Sequence, residues 1–584
     1  MLDLARQNGT SVEAELLRSG HVEEMAYYGA IARLLRLPFV EAIEPGLVQD
    51  IDALDSQLIR PTIIRLNHRH RKPQTAIVPE AARLAELAAA LATMPLLGRD
   101  LAITTPTAIR NAVWAAGAER RARETSNGLF ETHPSLSART ILTGEQGFVA
   151  GALAAAAGAV LLIKPAATLL LLHVLLSLLY FASLALRLTA LAGRMRRRDI
   201  AEPVPVPIGF LPRYTVMVAL YREAEMAAQL VGSLRRIDWP VSLIDIKLVC
   251  EADDGETIAA LEAVGLPPQF EIVRVPPIGP RTKPKALTYA LASARGELLA
   301  VYDAEDRPHP QQLREAHARF CHGPTDLACL QAPLIITNAR ASWLSALFSL
   351  EYSALFRGLL PMLGRQRMPL PLGGTSNHFK TGLLKAVGGW DPYNVTEDAD
   401  MGLRLSRMGY RSDVLTRQTL EDAPVEFSVW IAQRARWFKG WLQTWLVLMR
   451  DPARLMRELG VLPFITFQLL VGGMLVSALL HPLIFIFLWI GATAMLDAPK
   501  DDLPLGVLTL FVMDFVNILG SYLIFLGLGV GSMIDHEKRL LGWRWVFVPF
   551  YWLMISLASW RAVVELKTRP FLWNKTPHHP TSRK

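Results

Sequence analysis

The chain has 584 residues, 51% of them hydrophobic, and a formal net charge of +8 at pH 7. That length exceeds one ordinary domain, and the positive mean hydropathy excludes a purely water-surfaced enzyme, so membrane spans are expected. The three cysteines, Cys250, Cys321 and Cys329, lack C-x-x-C spacing, which argues against a disulfide framework or a thiolate zinc site, and the basic residues gather beside apolar runs, which points to membrane lipids and away from nucleic acid as partner.

Residues 1–9 have no basic stretch leading into an apolar core, so no cleavable signal peptide is expected there. Residues 1–140 are soluble in character. Apolar residues at helical spacing over 12–17 and 25–37, ended by Pro38, predict a small, mainly helical domain with a regulatory or docking role. Leu16, Gly20 and Val22 fall on an L-x-x-x-G-x-(I/V) pattern, and segment 13–37 resembles the N-terminal domain of type II secretion ATPases. In some relatives that domain binds cyclic di-GMP through an Arg-Leu-Gly triplet. Ser11, Val12 and Glu13 stand at those positions here, so the resemblance implies a docking module and not cyclic di-GMP sensing.

A transmembrane hairpin is expected over 147–192. Its apolar runs, 148–163 and 166–188, are parted only by Lys164 and Pro165. Arg194, Arg196, Arg197 and Arg198 follow and mark the cytosolic side. Over 203–441 the pattern becomes short strand-like runs (214–220, 246–250, 270–275 and 298–302) alternating with helix-like ones (223–235 and 285–295). That alternation predicts an α/β domain with a largely parallel sheet, whose ligands bind at the carboxyl ends of the strands. Segment 344–360 is an apolar, aromatic-containing helix expected to lie against the membrane near an acceptor path. A second hairpin is expected over 462–531, from runs 464–496 and 505–530 joined by the acidic link 497–502. Run 543–564 is aromatic-rich, contains Pro549 and is flanked by His536, Lys538 and Arg539 before it and Lys567 and Arg569 after it. Basic flanks on both sides predict an interfacial helix with both ends cytosolic, a fifth span being the alternative. The expected location is a multi-pass protein of the cell's inner membrane with a cytosolic catalytic region.

Four clusters carry chemistry. Strand 298–302 runs into Asp303, Ala304, Glu305 and Asp306, and strand 246–250 into Glu251, Ala252, Asp253 and Asp254, so carboxylates emerge where a hard, oxygen-preferring cation can sit. Thr396, Glu397 and Asp398 open a helical run in which Thr396 could equally be an N-cap. Gln433, Arg434, Ala435, Arg436 and Trp437 lie on a helix beginning near Val429, where Arg and Trp could equally be interfacial anchors. Transfer of a sugar from a nucleoside diphosphate needs a divalent cation on the pyrophosphate, a carboxylate for the acceptor proton and a shaped acceptor site.

The order of these clusters resembles the D, D-x-D, T-E-D, Q-x-x-R-W series of processive family 2 glycosyltransferases, such as cellulose, hyaluronan and poly-N-acetylglucosamine synthases. The last two motifs match in full. The resemblance, from about Tyr214 onward, implies a GT-A fold inserted between transmembrane helices. It implies that Tyr221, Glu223 and Asp253 hold the nucleoside of a donor expected to be UDP-linked, that Lys285 faces the pyrophosphate, and that Asp303 with Glu305 holds Mg2+ or Mn2+. The second acid of D-x-D is Glu305 here with Asp306 beside it, and either can complete the metal site. Asp398 is then the general base, and a single displacement converts an α-linked donor into a β-glycoside. Glu397, Gln433, Arg436 and Trp437 form the acceptor end, Trp437 giving a sugar a flat apolar face. Segment 571–578 resembles the gating segment that follows an interfacial helix in cellulose synthase, which puts Trp573, Lys575 and Thr576 over the bound nucleotide in the 543–584 region; a basic tail bound to lipid headgroups is the other reading.

The expected product is a polysaccharide, with accessory export proteins as further partners. One alternative is a transferase adding a single sugar to a lipid acceptor, a group that commonly lacks the Q-x-x-R-W helix. Another class, a membrane transporter or secretion-complex subunit, is disfavoured because no Walker A sequence occurs and the apolar runs carry few charges, Arg187 and Asp514 being exceptions.

Overall fold

The computed structural model describes residues 1–196, 211–497 and 505–573. Arg197, Arg198, most of the 497–502 link, and Lys575 and Thr576 of the gating reading lie outside the described residues. The chain divides into two compact units, one of Met1–Gly128, Pro207–Ala304 and Phe379–Gly389, the other of Leu129–Val206, Glu305–His378 and Trp390–Lys584.

The first unit holds two sheets. The N-terminal region is largely helical, with Glu24–Leu35, Pro106–Ala116 and Ala118–Thr132 its longest helices, but it also carries a four-stranded sheet, not expected from sequence, in the order Phe39–Val40, Leu101–Thr104, Gln74–Ile77, Ile63–Leu66. No strand there exceeds four residues, so period-two alternation has no length over which to show. The helix Pro106–Ala116 starts where Thr105 accepts from the Ala108 N–H, with Pro106 at its first position. Its Ile109, Ala112 and Val113 bury against Leu58, Ile64, Leu66 and Ala76. In the other sheet, Tyr214–Leu220 lies between Leu298–Tyr302 and Ile244–Glu251, and Phe270–Val275 follows on the far side of the latter, all parallel. The three crossover stretches contain the helices Ala227–Leu234, Gly255–Ala263 and Lys283–Leu291. All eight residues of Ile244–Glu251 are buried, as a strand covered on both faces requires.

The second unit contains the parallel pair Leu327–Gln331 and Arg411–Val414, and a small sheet in which Leu334–Ile336 runs parallel and Arg307–Pro308 antiparallel to Thr419–Glu421. The apolar helix Trp343–Tyr352 passes into a π-helical stretch, Ser353–Leu359, before resuming as Leu360–Arg365. The widened turn faces the helix Leu505–Ser532. There the Ser353 hydroxyl donates to the Gly529 carbonyl at 2.9 Å, and a methyl on Gly529 would lie 3.0 Å from the Leu350 carbonyl oxygen.

Among the described residues, five helices are long and apolar enough to cross a membrane: Gly144–Ile163, Pro165–Met195, Val461–Leu496, Leu505–Ser532 and Asp535–Thr568. A capping box at Thr143 and Gln146 starts the first. Asp514, an exception in an otherwise apolar run, is fully buried and accepts hydrogen bonds from Ser177 and His173 of the second span, which removes the cost of an unpaired carboxylate there.

Candidate active site

In the first unit the polar side chains gather at the carboxyl ends of three parallel strands. After Tyr214–Leu220, Arg222 adopts the left-handed backbone conformation (φ 54°), a strained choice for a non-glycine residue, and its N–H donates to Asp254 at 2.5 Å. That turn sets Tyr221 and Glu223 in place. The Glu223 N–H donates to Thr257 Oγ1 at 2.9 Å, and the carboxylate-bearing residue is buried. After Ile244–Glu251, Asp253 pairs with Arg281 at 2.5 Å, and Arg281 also hydrogen-bonds Tyr221. Asp254 spends its side chain on capping the next helix, through the Thr257 N–H.

Lys285, expected to face a pyrophosphate, is fully buried. Its ammonium donates to Glu251 at 3.0 Å and to the Pro276 carbonyl at 3.3 Å. Burial raises the Glu251 carboxyl above its ordinary value, against the lowering pull of Lys285. The ammonium beside Asp303, at the end of Leu298–Tyr302, belongs instead to Lys283. Arg281 and Lys283 were not singled out from sequence, and Glu251 was named only as one of the strand-end carboxylates, with no role toward Lys285. Their only signal was position, in a strand-end acidic loop and next to Lys285.

Asp303 supplies a hard oxygen donor, its side chain is about 29% exposed, and it already holds one cationic group. That chemistry fits Mg2+ or Mn2+. Among the described residues no group of three or more His, Cys, Asp or Glu side chains gathers around a common point. A cation held by Asp303 and one further carboxylate would complete its shell with phosphate oxygens or water, as Mg2+ at phosphate sites does.

In the second unit the helix Glu397–Arg407 follows Thr396, which makes no side-chain cap. Thr396, Glu397 and Asp400 are buried, whereas Asp398 is only partly so. The turn is bolted to the helix Phe427–Leu448: the Val395 N–H donates to Gln443 at 3.2 Å and Asn394 donates to Thr444 at 2.9 Å. Gly440 permits the approach, since a methyl there would lie 2.5 Å from Thr396 Cγ2 and 2.8 Å from its Cβ. Asp391 accepts from the Ala138 N–H at 2.5 Å and the Tyr393 N–H at 3.2 Å. Burial, with the Asp400 carboxylate nearby, holds the Asp391 carboxyl up at about 6.

On the same long helix, Gln433 is buried and its side-chain carbonyl oxygen has no hydrogen-bond partner among the described residues. Trp437 lies against Phe348 (5.9 Å between ring centroids) and near-parallel to Tyr352 (6.4 Å, 21°). Arg434, between the expected residues, forms a bidentate pair with Glu351 at 2.6 and 2.7 Å. It also donates to the Tyr551 hydroxyl at 2.9 Å and lies 4.7 Å over the Trp437 ring. Arg436 lies 4.7 Å over Trp573, joining an expected acceptor residue to an expected gating one. Residues 569–572 are held by main-chain carbonyls: Lys439 donates to those of Arg569 (3.1 Å) and Leu572 (3.0 Å), Gln443 to that of Pro570 (3.0 Å).

Residues 298–528 match the family model described as Glycosyl transferase family group 2. The chain is 25% identical over 282 residues to the beta-monoglucosyldiacylglycerol synthase of Synechocystis sp., covering 47% of this chain and 57% of that protein. It is 29% identical over 263 residues to the UDP-forming cellulose synthase catalytic subunit of Xanthomonas axonopodis pv. citri, covering 41% and 33% respectively. It is 24% identical over 254 residues to a probable glucomannan 4-beta-mannosyltransferase of Arabidopsis thaliana, covering 41% and 44%. The chain thus spans between a third and somewhat over half the length of these curated relatives. Among solved structures it is similar to a mannosyltransferase from Pyrobaculum calidifontis in complex with GDP-Man and Mn2+, with a TM-score of 0.37, 17% identity, and coverage of 67% of this chain and 98% of that one. Residues 298–528 are thus similar to family 2 glycosyltransferases, and the likeness to each of these relatives is distant.

Proposed function

We propose that this chain is a membrane-bound inverting glycosyltransferase whose GT-A catalytic domain, cytosolic at the inner membrane, moves a sugar from a nucleotide-sugar donor onto a growing β-linked polysaccharide. The observation that carries the reading is the Thr396–Asp400 turn, where Asp398 is partly exposed while Thr396, Glu397 and Asp400 are buried. Asp398 takes the proton from an acceptor hydroxyl, and that oxygen bonds to the anomeric carbon. The bond to the leaving phosphate oxygen breaks, and the nucleoside diphosphate departs with the electron pair. Gln433 offers its unpartnered carbonyl to a sugar hydroxyl, and Trp437, pressed flat by Arg434 and Tyr352, offers a stacking face.

On the donor side, Tyr221, Glu223 and Asp253 hold the nucleoside. Arg281 and Lys283 carry positive charge toward the phosphates, while Lys285 acts through Glu251. Asp303, with Glu305 or Asp306 next in sequence, would hold a divalent cation, which when bound neutralises charge on the leaving pyrophosphate. The last apolar helix is an interfacial one in this reading. Its Trp552 meets His481 and its Trp560 donates to the Leu479 carbonyl of the neighbouring apolar helix. It also runs in the same direction as Phe427–Leu448, from Trp430 with Tyr551 to Lys439 with Glu565.

A second reading, a single-sugar transferase acting on a lipid, is favoured by the likeness to a monoglucosyldiacylglycerol synthase. Purified protein in detergent, given single nucleotide sugars with Mg2+ or Mn2+ and its products sized, separates the two. Polymer is expected; a monoglycosylated lipid from every donor would establish the second reading.

A further inference from the structure

The N-terminal region touches the donor-side strands and helix at points that neither its sequence nor the transfer chemistry accounts for, all within the first compact unit. Trp114, on Pro106–Ala116, stacks on Tyr289 with centroids 5.0 Å apart and planes at 25°. Arg121, from the next helix, lies 5.1 Å over the Trp114 ring. Tyr289 is itself buried, on the helix Lys283–Leu291, one turn beyond Lys285. The N-terminal region meets the loop before that helix as well. Gly279 has φ +79°, and a methyl on it would lie 2.9 Å from Ser126 Cβ. The segment 276–291, which delivers Arg281, Lys283 and Lys285, is therefore touched by the N-terminal region on both sides of its three cationic residues.

Much of the rest of this contact is polar or ionic. Lys247, fully buried, pairs with Glu271 at 2.6 Å and Asp245 at 3.1 Å, and Arg295 donates to Asp245 at 3.0 Å. From the N-terminal side, Trp114 Nε1 donates to Glu271 at 3.1 Å and Arg110 lies 3.6 Å from the same carboxylate. At the edge, Glu15 accepts from Ser242 at 2.7 Å. An interface built on paired charges and single hydrogen bonds, with one stacked aromatic pair, resembles a separable contact between domains more than a continuous apolar core.

We propose that the N-terminal domain is a clamp on segment 276–291, and that Trp114 and Ser126 are positioning residues which keep Arg281, Lys283 and Lys285 ordered for the donor. This rests on the reading that those side chains serve a nucleotide sugar. With the clamp in place the segment is pre-ordered and binding the donor costs little chain entropy. With the clamp loosened, the donor must order the segment itself, so its apparent affinity falls while turnover at saturation does not.

The test uses the full chain in detergent. Amide hydrogen exchange of 283–291 is read alongside KM and kcat for the nucleotide sugar, in wild type, Trp114→Ala, Trp114→Phe and Ser126→Leu. For Trp114→Ala and Ser126→Leu, faster exchange in 283–291 and a KM raised about tenfold at near-constant kcat are expected. Trp114→Phe, which keeps the ring stack and loses only the Glu271 hydrogen bond, should recover most of the affinity. Unchanged exchange in a folded Trp114→Ala protein would overturn the clamp, as would faster exchange with an unaltered KM. If wild type turned over no nucleotide sugar while the exchange effect held, the donor reading would fall and the clamp would stand.

Discussion

Gly440→Ala adds a single methyl group at the place where the Phe427–Leu448 helix crosses the Thr396 turn. That methyl would lie 2.5 Å from Thr396 Cγ2 and 2.8 Å from its Cβ, whereas carbon atoms in contact prefer about 3.5–4.0 Å. Neither neighbour can rotate away: Thr396 is buried, and Val395 and Asn394 are hydrogen-bonded to Gln443 and Thr444 of the same helix. Helix and turn must therefore part by about 1 Å, at an overpacking cost of roughly 1–3 kcal/mol. Asp398 moves with the turn, and a misplacement of about 1 Å at a reacting group can cost on the order of 100-fold in rate. Thermal unfolding should register the strain, single-turnover transfer should register the displacement, and calorimetric nucleotide binding should be unaffected. Adding Thr396→Ala removes the nearest atoms, so the double variant should recover part of the lost stability, with a coupling of about 0.5–3 kcal/mol. Wild-type stability and transfer within about twofold in Gly440→Ala would refute both the tightness of this crossing and its bearing on Asp398.

Asp398→Asn should lower transfer by roughly 10²–10⁴-fold with nucleotide-sugar binding preserved; binding isotherms and product assays on one preparation decide this. Trp437→Ala should shorten or abolish polymer, and Trp573→Ala should slow elongation and raise donor hydrolysis, read by product sizing and free-sugar release. Asp391 gives a pH dependence. Its folded pKa, about 6, lies above the ordinary 3.8, so its contribution is fully present below about pH 4 and lost as pH rises through about 6. Two pKa units correspond to at most about 3 kcal/mol, and Asp391→Asn should flatten the unfolding-temperature profile over that window.

The donor-side strands were legible because each is a short, mostly apolar run bounded by polar residues or prolines, and Tyr214–Leu220, Phe270–Val275 and Leu298–Tyr302 begin and end where the sequence pattern places them. The N-terminal strands were not, being too short for alternation to accumulate. Charge pairing was invisible for a different reason. Lys283 finds Asp303 and Lys285 finds Glu251, 20 and 34 residues away, and no local periodicity says which ammonium meets which carboxylate. Arg434 was passed over because it stands at an open position of Q-x-x-R-W. Only the tertiary placement of Glu351 and Tyr551 turns it into the support of Trp437. The π-helical stretch likewise has no propensity of its own and is legible only beside Gly529.

Lys439 and Gln443 hold the end of the last helix through the carbonyls of Arg569, Pro570 and Leu572, and every amino acid has a carbonyl. The grip therefore reads distance along the chain and is blind to spelling. Replacing those side chains leaves it intact, whereas one residue inserted or removed slides Trp573 by about 3.5 Å from its seat under Arg436. Residues 565–573 act as a ruler. Across descendants of this sequence the letters at 569, 570 and 572 can drift more freely than the length of the stretch, and an engineer who shortens it by one residue should expect more damage than one who rewrites those three positions.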